Sequence, residues 1–194
     1  MKKKVGIFGG SFNPVHIGHV SLAKNLLEGG LLDELWMMVS PLNPLKTGAG
    51  NIIDFDRRLD MARIAVEGIP GLKVSDFERE LPVPSYTVDT LSLLEKHYPE
   101  CQFCLVIGAD NWTVFDKWYR YKDILQRYEV LVYSRPGSDL ADADLPEGVK
   151  LVEMELYDVS STDIRRKIKQ GEDVSQLLPE GVLEYIKENG LYLS

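Results

Sequence analysis

The stretch Gly9-Gly10-Ser11-Phe12-Asn13-Pro14-Val15-His16-Ile17-Gly18-His19 concentrates residue types suited to holding phosphate. Paired glycines let a backbone approach a ligand closely, Asn13 is a favourable helix cap, and Pro14 suits a first helical position. A helix N-terminus is therefore expected just beyond the apolar run Val5 to Phe8. The N–H groups of a helix's first turn, with the dipole behind them, favour an anion. His16 and His19 are three residues apart and share one face of that turn, where both can aim donors at one phosphate. The same spacing also suits a metal ion or two packed rings. The chain contains neither G-x-x-x-x-G-K-[ST] nor G-x-G-x-x-G, which excludes a Walker loop for ATP and weakens a nicotinamide dehydrogenase reading.

Such residues need a scaffold that gathers strand ends and helix starts. Short apolar runs alternate with helix-period segments along the whole chain, which predicts an α/β fold, a single Rossmann-like, doubly wound parallel sheet with helices on both faces. Strands are predicted over Val5–Phe8, Leu35–Val39, Leu72–Ser75, Phe103–Ile107, Val130–Tyr133 and Val149–Met154. Helices are predicted over His16–Glu28, Asp54–Val66, Thr87–His97, Thr162–Gln170 and Val182–Asn189, punctuated by Gly29-Gly30, Pro99 and Gly190. In open α/β sheets ligands bind outside the carboxyl ends of the strands, where the glycine block lies.

With 194 residues and 44% hydrophobic content, residues 1–194 are expected to form one domain. The formal charge of -8 argues against nucleic acid as a partner, so an anionic substrate must meet a local cationic pocket. Part of that acidity lies in Asp139 to Glu147, which reads as a solvated loop. No apolar run approaches the roughly 18 residues of a membrane span, and the run behind Lys2 to Lys4 is too short for a signal-peptide core. A cytoplasmic location follows as the expectation, and nothing in the sequence specifies an oligomer. Cys101 and Cys104 form a lone C-x-x-C leading into a strand pattern, which predicts two buried thiols rather than a zinc site or a thioredoxin-like pair.

The glycine block resembles the HxGH phosphate loop of the nucleotidyltransferase family, and Ser160-Ser161-Thr162-Asp163-Ile164-Arg165 resembles that family's S-S-T-x-I-R element. Ser85-Tyr86-Thr87-Val88-Asp89-Thr90-Leu91, Gly108-Ala109-Asp110 with Trp118-Tyr119, and Pro41-Leu42-Asn43-Pro44-Leu45-Lys46 resemble blocks of its bacterial nicotinate-nucleotide adenylyltransferase branch. The resemblance spans Gly9 to Arg165. It implies transfer of AMP from ATP to nicotinate mononucleotide, giving nicotinate adenine dinucleotide and pyrophosphate in NAD biosynthesis. It also implies catalytic roles for His16, His19, Lys46 and Arg165, with the histidines at the α-phosphate and the two cations at the β and γ groups. ATP contacts are implied for Gly9, Gly10, Ser11, Phe12, Gly108, Asp110, Ser161, Thr162 and Ile164. Tyr86, Thr87, Asp110, Trp118 and Tyr119 are implied to meet the pyridine nucleotide, through ring stacking on Trp118 and N–H groups of Thr87 and Tyr119 to the carboxylate. Mg²⁺ would arrive with ATP, held through phosphates and water, so no metal site of protein side chains is expected. The chain departs from the branch at Leu45, where histidine is usual, and this removes one possible phosphate donor. Alternative readings are the same reaction on nicotinamide mononucleotide or phosphopantetheine, and a non-catalytic nucleotide sensor.

Overall fold

The computed structural model describes residues 2–41, 52–134, 140, 145–152, 154 and 157–193. Six parallel strands form one sheet: β1 (Lys3–Gly10), β2 (Glu34–Val39), β3 (Leu72–Ser75), β4 (Cys101–Gly108), β5 (Glu129–Tyr133) and β6 (Val149–Val152), in spatial order β3-β2-β1-β4-β5-β6. The chain winds outward from β1 to β3, returns to the middle at β4 and winds the other way. The reversal between β1 and β4 leaves a crevice outside their carboxyl ends, at Gly9-Gly10 and at Gly108.

Alternate strand residues supply two cores, which is why the strands read as continuous apolar runs. Phe8, Met37, Val39, Val106 and Leu131 face one side. There they meet α1 (Ile17–Glu28), α2 (Phe55–Val66), α6 (Ser161–Lys169) and α7 (Val182–Glu188). Val5, Ile7, Met38, Leu105 and Val130 face the other, against α3 (Thr87–His97) and α5 (Tyr121–Arg127). The sheet is thus doubly wound, with helices on both faces.

Most elements fall where the pattern predicts, with three local differences. The first helix begins at Ile17 with His16 as its cap, not at His16 with Asn13 as cap and Pro14 in the first turn. Asn13 and Pro14 are used otherwise, their carbonyls accepting bonds from α6. The last strand stops at Val152, short of the predicted Met154. The short helix α4 (Ala109–Trp112) and the 3-10 turns Phe77–Glu80 and Phe115–Lys117 escape prediction because three or four residues show too little periodicity, and α5 escapes it as well. Both cysteines lie in β4 and are buried, and burial pushes the Cys104 thiol up to about 12. Three residues apart on a strand, they face opposite cores, Cys101 on the α3 side and Cys104 on the α1 side, so they cannot pair. Among the described residues no helix is long and apolar enough to cross a membrane.

Candidate active site

A cleft of about 640 Å³ opens over the carboxyl edge at the β1/β4 reversal. Its first wall is the loop from β1 to α1. Phe12 adopts φ +44 there and buries its ring edge-on against Phe8 and His19, with centroids at 5.6 and 5.0 Å. Phe12 was expected to contact ATP; with its side chain 2% exposed in the core, what it offers the cleft is main chain. Gly9, Gly10 and Ser11 line the same wall.

His16 and His19 are brought together more closely than their spacing requires. His16 caps α1, His19 occupies the third helical position, and the rings stack at 3.6 Å with 28° between planes. The His16 N–H donates to His19 Nδ1 at 3.2 Å. An Nδ1 that accepts carries no proton, so the His19 proton resides on Nε2 as a donor. Gly18 explains the centre of the H-x-G-H spacing. A Cβ at that position would lie 3.1 Å from His16 Nδ1 and 3.0 Å from Val159, so a side chain would displace the histidine.

The second wall is the start of α6. Ser160 caps this helix, accepting the Asp163 N–H at 3.1 Å and donating to the Asp163 carboxylate at 2.9 Å. Ser161 Oγ donates to Pro14 O at 2.9 Å, and Arg165 Nη1 donates to Asn13 O at 2.8 Å. Arg165 Nη2 reaches Thr162 Oγ1 at 3.3 Å. Two helix N-termini far apart in sequence are thus knitted side by side at the cleft. Ser161, Thr162 and Arg165 line it, whereas Ile164 does not. The Ile164 side chain is fully buried in the core and its N–H donates to Ser160 O within the helix, so its side chain packs beneath the cleft wall.

At the other end, Gly108 caps α4 and Asp110 stands in its first turn at the cleft edge. A Cβ on Gly108 would collide with Asp110 Oδ1 and fall 3.1 Å from the Tyr133 ring, which explains the small residue there. Tyr86 precedes α3 without a side-chain cap bond, and Tyr86 and the first helical residue, Thr87, both line the cleft. Tyr86 and Tyr119 are both exposed and pair at 4.5 Å, with Trp118 beside them. Trp118 Nε1 is buried with no hydrogen-bond partner among the described residues. Lys46 and Leu45 lie outside the described residues.

Three further residues shape the site without belonging to any motif. Arg58 is 1% exposed, and burial lowers its pKa from the ordinary arginine range. Its guanidinium donates to Ser11 O and Ser40 O at 2.8 Å, Ile53 O at 3.0 Å and Pro41 O at 3.3 Å, binding the glycine loop to the end of β2. Tyr192, near the C-terminus, donates its hydroxyl to Asn13 Oδ1 at 2.8 Å. Glu78 accepts the Thr90 hydroxyl at 2.9 Å in the cleft wall. Arg58 and Glu78 carry charges in polar segments, which on sequence reads as a solvated face, and a lone tyrosine near a terminus gives no signal at all. Among the described residues no group of three or more His, Cys, Asp or Glu is arranged to hold a metal ion.

The cytidylyltransferase-like family matches residues 7–167, which include both walls of the cleft. A protein described as a probable nicotinate-nucleotide adenylyltransferase from Bacteroides thetaiotaomicron is 49% identical over 187 residues, 96% of this chain and 92% of that one. The nicotinate-nucleotide adenylyltransferase of Bacillus subtilis is 36% identical over 192 residues, 99% of this chain and all of that one. The solved structure of Plasmodium falciparum nicotinic acid mononucleotide adenylyltransferase complexed with NaAD shares the fold, with TM-score 0.79 at 17% identity over 98% of this chain and 97% of that one. With the histidine pair, the α6 element and these relatives in agreement, the chain belongs to the cytidylyltransferase-like family, in its nicotinate-nucleotide adenylyltransferase branch.

Proposed function

We propose that this protein joins the AMP part of ATP to nicotinate mononucleotide, yielding nicotinate adenine dinucleotide and pyrophosphate, as an enzyme of NAD biosynthesis. The observation that carries this reading is the pairing of two helix N-termini, α1 and α6, around stacked histidines at the sheet's reversal point. The acceptor's phosphate oxygen attacks the α-phosphorus of ATP in line. The new P–O bond forms as the bond to the bridging oxygen breaks, and that electron pair leaves with pyrophosphate. No protein nucleophile takes part, so rate comes from positioning and from stabilising charge on the oxygens.

His16 and His19 serve the α-phosphate, with the His19 Nε2 proton fixed as a donor by the bond at Nδ1. Arg165 and Lys46 serve the β- and γ-phosphates. Gly9, Gly10, Ser11, Phe12, Gly108, Asp110, Ser161 and Thr162 form the ATP half of the cleft. Tyr86, Thr87, Trp118 and Tyr119 form the pyridine half, where the N–H groups opening α3 suit a carboxylate. Mg²⁺ would enter bound to ATP as part of the substrate, held through phosphate oxygens and water. The whole chain acts as one domain in the cytoplasm. The Tyr192 to Asn13 bond, which closes the C-terminal segment onto the first loop, supports that unity.

Pyrophosphate release with ATP and Mg²⁺, offering nicotinate mononucleotide, nicotinamide mononucleotide and phosphopantetheine separately, tests the reading. Release with the nicotinate form alone is the expected outcome. Release with another acceptor reassigns the substrate, and silence with all three from a folded, ATP-binding sample makes the protein a sensor.

A further inference from the structure

We propose that Glu78 is the positioning residue of the pyridine half of the cleft, holding the start of α3 in register with the end of β2. The proposal rests on the reading of the cleft as a two-substrate site. Glu78 sits on the 3-10 turn Phe77–Glu80, outside every motif that carries the family resemblance, yet it lines the cleft. The turn is anchored on both sides. Arg79 pairs with Asp56 at 2.9 Å and lies over the Phe55 ring, while Phe77 packs against the α3-side core. Between these anchors the Glu78 carboxylate accepts the Thr90 hydroxyl at 2.9 Å, and the Ser40 and Ser85 hydroxyls lie close enough to favour its charged form.

Those three hydroxyls come from three elements that must agree for the pyridine half to form. Ser40 follows β2, Ser85 lies in the approach to α3, and Thr90 lies in α3 one turn beyond Thr87. A threonine within a helix ordinarily returns its hydroxyl to the carbonyl four residues back. Thr90, 2% exposed, instead crosses to another element, so its bond carries tertiary information. A carboxylate has two oxygens and about four lone-pair sites, enough for all three donors; an amide offers one oxygen. Burial works against the charge and raises the Glu78 pKa, with the hydroxyls opposing that rise. Ser40 also lends its carbonyl to Arg58, which holds Ser11. Polar groups therefore follow one another from the glycine loop through Arg58 and Ser40 to Glu78 and α3, between the two halves of the cleft.

The test compares wild type with Glu78→Gln, Thr90→Val and Thr90→Ser. It measures KM separately for nicotinate mononucleotide and ATP, together with amide hydrogen exchange over residues 85–91 without substrate. Glu78→Gln and Thr90→Val are expected to raise KM for nicotinate mononucleotide about tenfold, leave KM for ATP within about twofold, and speed exchange over 85–91, with Thr90→Ser restoring both readouts. An equal rise in both KM values, or unchanged KM and exchange, overturns the proposal. Should Glu78→Gln not fold, the Thr90→Val and Thr90→Ser pair decides alone. A wild type that does not turn over nicotinate mononucleotide defeats the functional reading instead. The exchange rates over 85–91 then judge Glu78 by themselves, faster exchange supporting it and unchanged exchange overturning it.

Discussion

The two ends of the cleft are built differently. At the phosphate end, every element is tied to one distant in sequence. Asn13 takes bonds from Arg165 and Tyr192, Pro14 from Ser161 and Ser11 from Arg58, and the His16 and His19 rings stack at 3.6 Å. At the pyridine end, Tyr119 is 52% and Tyr86 39% exposed, and the two rings meet chiefly each other. The contrast matches the roles proposed for the two ends. Charge on a phosphoryl group is stabilised by donors already in place, which cost no reorganisation as the reaction proceeds. A pyridine ring is held by faces and edges that can close after it arrives, at a modest cost in ordered side chains.

If the phosphate end is the preorganised one, its loss falls on turnover. Replacing His19 with alanine is expected to lower kcat by about 10²- to 10³-fold with the fold kept, the size seen when one transition-state donor is removed. His16→Ala is expected to act similarly, because His16 caps α1 and stacks on His19. Steady-state rates beside a thermal melt check this. Near-normal turnover would erase the proposed division between the two ends. Arg165→Ala is expected to lower kcat and raise KM for ATP together, since it frees Asn13 O as well as a phosphate partner.

The pyridine end makes the opposite prediction. Trp118→Ala is expected to raise KM for nicotinate mononucleotide about tenfold while KM for ATP changes little, as removal of a stacking face worth about 0.5–1.5 kcal/mol beyond its buried area would do. Separate titration of each substrate checks it. Equal weakening of both substrates would make Trp118 a packing residue of the α3-side core, which it also touches.

The same contrast governs what the sequence made legible. The sheet was readable because parallel strands buried on both faces leave unbroken apolar runs, and β3 and α3 fall on their predicted bounds. The junction of β1 and α1 was readable because glycines, a strand end and two histidines agree within eleven residues. Its capping was not: Asn13 has the right chemistry for a cap, but its carbonyl and amide are claimed by Arg165 and Tyr192, more than 150 residues away. Local preference yields to such long-range bonds, and no local pattern announces them. Arg58 and Glu78 were hidden for a related reason. Each is a charged residue whose partners are carbonyls or hydroxyls of other elements, so neither forms a visible ion pair or motif.

Tyr192→Phe gives the smallest effect and the finest test of the contrast. The hydroxyl bonds a buried acceptor, and burial also raises the tyrosine's pKa, so it is neutral and a donor at any working pH. Removing it should cost about 1 kcal/mol of stability, lowering Tm by roughly 2–4 °C for a chain of this size. Because Asn13 O also holds Arg165, a loosened Asn13 should pass part of that loss to the phosphate end. The expected result is a fall in kcat of about two- to threefold with KM for nicotinate mononucleotide unchanged. A lowered Tm with unaltered kinetics would mean that the bond only fastens the C-terminal segment, and that preorganisation of the phosphate end stops at Arg165 and Ser161.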